Sequence, residues 1–328
     1  MRAYRFCASA VLCLLILPLI CAAQEASLEA AKKAYGRGDY HNAIETLKGA
    51  AAKEPSNGEI QLLLAKCYLE SNQYDEAVKA AEKAVSLDPK NSTYHQWLGE
   101  AYGQKADHSS MLSAYSWARK TQKEFATAVE LNDHNFDAAQ DLVEYDCTAP
   151  GMVGGGEEKA QPLIQKMLTL DPAEGHFAAG VCKAVKKDYA GADAEYAKAL
   201  ESKPKTADRI YDIGDYFLQR GQGERLLEVA AVGESVSPND PRGKYYQAAG
   251  LILKNQKPTD AEQLLHDYLA AEPMRSTYPS SSDVHYLLGR MRAAQNDTAG
   301  AKAEYQEALK LNPKNKRAEQ ALKQLGGK

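Results

Sequence analysis

The sequence predicts an all-α solenoid of about eight similar helix–turn–helix units, and three observations predict it. Prolines that follow an apolar-periodic stretch recur at Pro55, Pro89, Pro172, Pro204, Pro238, Pro273 and Pro313, with a spacing near that of a helical-hairpin repeat. Pro55 to Pro89 is 34 residues, Pro172 to Pro204 is 32, Pro204 to Pro238 is 34, and the next two intervals are 35 and 40. Small and large residues keep a fixed register ahead of each proline. Between the two halves of each unit lies a short turn rich in Gly, Asn and Asp. One further unit is hidden between Pro89 and Pro172, ending at "ELNDHN", where Asp133 stands in the proline's place, so eight units run from Gln24 to Asn315.

Ahead of the first unit, Arg2 and Arg5 precede the apolar run "FCASAVLCLLILPLICAA", and the polar "QEASLEAAKK" follows at once. A basic start, an apolar middle and a small-residue end describe an export signal over 1–23, with cleavage after Ala23. The product is then expected to be exported, periplasmic or secreted. Two alternatives compete: an uncleaved anchor, since about eighteen apolar residues sit at the lower limit for crossing a bilayer, and lipid attachment at Cys21, against which the bulky Ile20 stands. Membrane contact is expected only if the segment stays attached. Three of the six cysteines, Cys7, Cys13 and Cys21, belong to it. The odd remainder, Cys67, Cys147 and Cys182, contains no CxxC pair and reads as small buried hydrophobes, with a Cys147–Cys182 bond left open.

The register runs through the solenoid, 24–315. Twelve residues before each landmark stand Ala43, Ala77, Ala160, Ala192, Ala261 and Ala301, with Thr121 and Leu226 as exceptions. Five before it stand Ala50, Ala84, Ala128, Ala199 and Ala308, where Met167, Gly233 and Tyr268 depart. Eight before it come Leu47, Phe125, Ile164, Tyr196, Leu265 and Tyr305. Spacings of three and four place these on one helical face, where small residues let two backbones approach and large ones fill the remainder. The preceding helix carries Gly99, Gly180, Gly214 or Gly289 at its point of close packing. The turns "GRGDYHNA", "ESNQYDEA", "KKDYAGA" and "QNDTAGA" supply residues that tolerate a left-handed helix end and an Asp that caps the next helix.

With "LGEAY" at 98–102, "LLGR" at 287–290, and the pairs Ala192/Tyr196 and Ala301/Tyr305, the chain resembles a tetratricopeptide repeat (TPR) protein, of the exported bacterial type without assigned function. The resemblance implies antiparallel helix pairs wound into a right-handed superhelix whose concave face binds other proteins. Neither helix of a unit buries its apolar stripe alone, so each unit depends on its neighbours.

The third unit, 92–135, is stretched: Asp133 falls 44 residues after Pro89. Leu112, Tyr115, Ala118, Gln122, Phe125 and Val129 keep helical spacing, which predicts a long second helix, with Tyr115 and Trp117 expected to pack. The fourth unit holds "CTAPGMVGGGEEKA". Its glycine loop, 147–157, lacks the GxxxxGK[ST] of a phosphate loop, and Glu157 and Glu158 repel phosphate, so it reads as a solvated joint. After Pro313, "KNKRAEQALKQLGGK" predicts a capping helix and tail over 316–328.

No enzyme, cofactor or metal is expected. The seven histidines are scattered, and no HExxH, GxSxG or metal-spaced carboxylate set occurs. A formal net charge of −4 argues against nucleic acid. The expected site is a row of aromatics 27 residues before four successive landmarks, Phe177, Tyr211, Tyr246 and Tyr286. By the family's geometry this place faces the concave groove, with Asp215 and Arg290 four residues further on, and an aromatic row suits a protein or peptide partner. Packing against the next unit is the competing role for these rings. The clamp that some family members use for a terminal carboxylate pairs Lys with Asn on this face; Lys32 and Lys66 occur without the Asn. An oligosaccharide held by the aromatics with Asp208, Asp215 and Asp283 is the alternative ligand.

Overall fold

The residue in front of a landmark proline is forced out of the helix, because the proline ring excludes helical angles for its predecessor. In the computed structural model, which describes residues 26–271 and 277–326, Glu54, Asp88, Asp171, Ser237 and Asn312 all have φ between −128° and −152°. Asn132 does the same before Asp133 without a proline, at φ −153°. The export segment 1–23 and Pro273 lie outside the described residues.

The helices follow as α1 (26–36), α2 (Tyr40–Lys53), α3 (Gly58–Glu70), α4 (Tyr74–Leu87), α5 (Ser92–Asp107), α6 (Met111–Leu131), α7 (Phe136–Thr148) and α8 (Glu157–Leu170). Then come α9 (Pro172–Val185), α10 (Tyr189–Glu201), α11 (Ala207–Gln219), α12 (Gly223–Val236), α13 (Arg242–Leu253), α14 (Pro258–Ala270), α15 (Ser281–Ala294), α16 (Thr298–Leu311) and α17 (Lys316–Gly326). No strand occurs among the described residues, so the fold is an all-α array of helical repeats. The helices form two compact units, one up to Leu163 and one from Ile164.

Most turns inside the pairs are built as the sequence predicts. Gly38, Gly221, Asn72, Asn255 and Asn296 take positive φ, and Asp39, Asp188 and Asp297 accept a backbone N–H from the helix they start. In "KKDYAGA", however, the left-handed residue is Lys187, at φ 65°. Asp188 holds the turn by bonding Gly191 N at 3.0 Å, which fixes the chain even without a glycine.

The small–large register is the core. Ala43, Ala77, Ala160, Ala192, Ala261 and Ala301 are fully buried, and Leu47, Phe125, Ile164, Tyr196, Leu265 and Tyr305 lie beside them, also buried. Three helix glycines receive an aromatic ring from their own pair: a Cβ on Gly99 would stand 2.5 Å from the Phe125 ring, on Gly180 2.7 Å from Tyr196, and on Gly289 2.5 Å from Tyr305. Replacing Ala192 with Leu puts three extra carbons into this contact, with an expected loss of about 1–3 kcal/mol read by urea unfolding. An unchanged midpoint would show that the α9–α10 crossing has room.

Polar links repeat as well. Ser282 Oγ donates to Ala308 O at 2.8 Å and receives Asn315 Nδ2 at 2.9 Å, while Asn315 also caps α17. Ser92, Ala128 and Asn135 repeat the arrangement at the start of α7. The capping helix thus joins its unit as another first helix would. Three histidines that look scattered in sequence fall in one place of the repeat, each Nδ1 against a glutamate of the following helix: His95–Glu124 at 2.6 Å, His176–Glu195 at 2.8 Å and His285–Glu304 at 2.7 Å. Among the described residues no helix is long and apolar enough to cross a membrane.

Candidate functional site

The aromatic row is core, and this corrects the expectation of an open groove. Phe177, Tyr211 and Tyr246 are buried, and Tyr286 and Arg290 are half-buried. Two departures from the register explain the tyrosines. Where six of the eight second helices carry a large residue eight before the landmark, α12 has only Ala230, so Gly214 has no ring from its own pair. Tyr246 from α13 fills that space instead, 2.7 Å from where a Gly214 Cβ would stand. Gly233, in the place of an alanine, makes room for the Tyr211 hydroxyl. The two rings then stack at 5.1 Å with planes 6° apart. Tyr246 Oη donates to Asp215 Oδ1 at 2.7 Å, so the exposed Asp215 is the groove-side end of a buried contact.

An arginine from the following first helix closes three of the four rings, all but Tyr246. Arg209 covers Phe177 at 4.2 Å and pairs with Glu174 at 2.9 Å. Arg242 covers Tyr211 at 4.5 Å and pairs with Asp208 at 2.6 Å. Arg317 covers Tyr286 at 5.1 Å and pairs with Asp283 at 2.6 Å. The pattern is an acid, an aromatic three residues later, and an arginine 34 or 35 residues after the acid. It links neighbouring repeats and leaves Asp208 and Asp283 engaged. The acids and rings invoked for a sugar are therefore spent on packing, and Arg290 is not brought into this ladder.

In the unit up to Leu163 the structure opens a different site. The second helix of the stretched pair, α6, runs for 21 residues, and its extra turns stand beside the ends of α5 and α7. Between the three helices lies a cleft of about 720 Å³, within the range of ligand pockets. Its α6 wall is uncharged, formed by Met111, Ala114, Tyr115, Ala118, Thr121 and Phe125. Opposite stand Glu100 and Asp107 of α5 with Asp141 and Glu144 of α7. A second hollow of about 440 Å³ shares Glu100, Gln104 and Asp141 and continues to Glu70, Tyr74 and Trp97.

The glycine loop closes one end of this cleft and is not a solvated joint. Val153 and Gly155 are buried. Tyr115 Oη donates to Met152 O at 2.7 Å, and Tyr145 Oη lies 2.9 Å from Val153 O and 2.7 Å from Ala118 O. Gly156 N returns to Asp146 O at 2.8 Å. Gly154 and Gly156 have φ of 103° and 144°, which glycine alone adopts freely. As the spacing predicts, Trp117 packs, 5.4 Å from Tyr102. Tyr115 instead stands 41% exposed at the cleft's edge, beside Met111 at 88%, Leu112 at 89% and Met152 at 71%.

Desolvation, joined by mutual repulsion, makes Asp141, Glu100 and Glu144 uncomfortable as anions. Burial pushes Asp141 up to about 7; the Gln96 amide at 2.9 Å opposes the rise, while Glu100, Asp137 and Glu144 add to it. Glu100 and Glu144 are raised for the same first reason. Nearby cations are turned to other tasks: Lys66 lies 4.1 Å over the Trp97 ring, and Lys105 holds Asp75 at 2.8 Å. Among the described residues, no three His, Cys, Asp or Glu side chains converge as metal ligands. The site had a signature in the sequence: Glu100, Gly103 and Asp107 lie on one helical face, as do Asp141, Glu144, Tyr145 and Thr148, on consecutive first helices.

Two tetratricopeptide repeat models match the chain, over residues 34–102 and 282–315. Over 55 residues it is 42% identical to anaphase-promoting complex subunit 3 of Dictyostelium discoideum, a match covering 17% of this chain and 6% of that protein. Over 82 residues it is 29% identical to rhomboid protease GluP of Bacillus subtilis (strain 168), covering 25% and 16%. The chain thus spans less than a fifth of either relative. Among solved structures, it is similar to a thermophilic TPR protein of Thermus thermophilus, at 20% identity and TM-score 0.48, over 60% of this chain and 99% of that one. A tetratricopeptide repeat protein from Parabacteroides merdae aligns at 15% identity and TM-score 0.43, over 93% and 99%.

Proposed function

Because this chain is a tetratricopeptide-repeat protein, we propose that it serves as a non-catalytic interaction scaffold of the cell envelope, receiving a protein segment in the cleft between α5, α6 and α7. One observation carries the reading: the stretched third repeat spends its extra helix on building a pocket instead of on burial, leaving Met111, a lining residue of that pocket, 88% exposed. Apolar side chains held at a rim this way are what a partner covers. The proposed export is supported by the basic start, apolar run and small-residue end of residues 1–23. A docking role is favoured by the pairing of an exposed apolar residue, Met111, with four carboxyls across the same cleft, since a partner segment can cover both at once.

The test is site-specific photocrosslinking in cells. A photoreactive residue at Met111 or Glu144 should yield a discrete adduct with another protein, and one at the exposed Lys83 of α4 should not. Equal adducts from all three positions, or none from the two cleft positions, would contradict the proposal.

A further inference from the structure

Resting on that cleft being the receiving site, we propose that its occupant is a cationic amphipathic peptide segment, its Lys or Arg side chains meeting the acids Glu100, Asp141 and Glu144 while neighbouring apolar side chains cover Met111, Tyr115 and Met152. Shape and charge both select this chemistry. The two walls differ: α6 contributes no charged side chain to the lining, whereas α5 and α7 contribute four carboxyls and no cation. A long basic side chain matches both, since its methylene stem lies along an apolar surface while its head reaches the acids. Arginine suits the place better than lysine, because its planar fork donates to two carboxylates at once.

Other occupants fit half of the site. A polyamine would neutralise the floor and leave the apolar rim in water. An acidic or phosphorylated segment would meet carboxyls already raised by crowding. A metal ion would find no converging set of ligands among the described residues. A wholly apolar helix would cover the rim and leave the floor uncompensated, which is costly for charges removed from water.

Protonation follows from the same groups. Asp141 shares its two hollows with Glu70 of α3 and with Glu100 and Asp107 of α5, and it shares α7 with Asp137 and Glu144. Among these, Glu100, Asp137 and Glu144 raise it. With its carboxyl titrating at about 7, a bound cation favours the ionised form. Affinity for a basic peptide therefore rises between pH 5 and pH 8 and a proton is released on binding.

The experiment uses the chain with fluorescence anisotropy on short labelled peptides. The probes are one alternating Arg and Leu, one alternating Glu and Leu, one alternating Arg and Ser, and the polyamine spermine. The Arg–Leu peptide should bind, and added salt should weaken it. The Glu100→Gln/Asp141→Asn/Glu144→Gln variant should lose at least about tenfold in affinity, and Met111→Ser/Met152→Ser should lose severalfold. The second variant changes only exposed rim positions, so a loss there cannot be blamed on unfolding. Equal binding of the Glu–Leu peptide, of the Arg–Ser peptide or of spermine would overturn the proposal, as would a triple variant of unchanged affinity. Crosslinks from Met111 and Glu144 without Arg–Leu binding would sink this inference alone. Absence of those crosslinks would remove the cleft as the receiving site.

Discussion

Replacing Arg242 with Ala lowers the stability of the unit from Ile164 onward by about 3–5 kcal/mol, the loss expected when a buried charge is left without its partner. Arg242 is 4% exposed. Its guanidinium bonds Asp240 at 2.7 Å and Asp208 at 2.6 Å, and it lies between the Tyr211 ring at 4.5 Å and the Tyr278 ring at 4.2 Å. Asp208 is largely in water and loses little. The Asp240 side chain is only 7% exposed, so the cost concentrates there. Burial alone would raise the Asp240 carboxyl, and the Arg242 hydrogen bonds outweigh it to hold the group below its usual value. A depressed carboxylate stabilises the fold above its unfolded pKa, and that contribution is lost as pH falls through the folded pKa. The variant should therefore lose most at neutral pH and approach the parent in acid. Lysine at 242 should recover only part, since it cannot fork between two carboxylates or stack flat on tyrosine. Urea unfolding at pH 7 and again at about pH 2, below the ordinary carboxylate value, reads all of this. A neutral-pH loss below about 1 kcal/mol, the range of exposed ion pairs, would show that the ladder is a surface feature.

The second large effect has the opposite sign. Asp141→Asn is expected to stabilise the chain at pH 7 by about 2–4 kcal/mol, the upper figure taking the whole rise at about 1.4 kcal/mol per pKa unit and the lower allowing for relaxation. Asp141 is half-buried and titrates near 7, against an ordinary value of 3.8. Since its folded pKa is raised, the folded state holds the proton more tightly than the unfolded state. Stability thus falls as pH climbs from about 4 to about 7, and the amide removes that loss. Below about pH 4 the two proteins should be alike, because the carboxyl is protonated in both states. An asparagine still accepts from Gln96, which lies 2.9 Å away. A group that costs stability where it stands is more readily explained by a ligand than by the fold.

The repeats were legible because their signals are local. A small residue, a large one four later and a small one three after that lie on one helix, and a proline acts on its immediate predecessor. The capping helix and the long α6 followed from the same periodicity. The aromatic row was legible as a row but not as a surface. Its role depends on what the next helix brings, and the informative residues, Ala230, Gly233 and Arg242, lie in other helices. Each reads as an ordinary residue until the missing ring in its own pair is noticed. The loop misled for a related reason: glycines suggest freedom, whereas Gly154 and Gly156 serve a folded turn whose partners, Tyr115 and Asp146, lie outside it. The cleft had a faint signature, two acidic faces 41 residues apart from Glu100 to Asp141. Acidic faces on helices are ordinarily solvated, and only the third wall from α6 gives these a function.

The most direct measurement takes Asp141→Asn alone and follows two quantities at pH 7.5, the urea midpoint and the affinity for the Arg–Leu peptide. A carboxylate kept for binding at the expense of the fold gives opposite signs: the variant unfolds at higher urea and holds the peptide more weakly. A variant that is less stable than its parent, or that binds the peptide as tightly, would mean that the cleft between α5, α6 and α7 does not receive a cation.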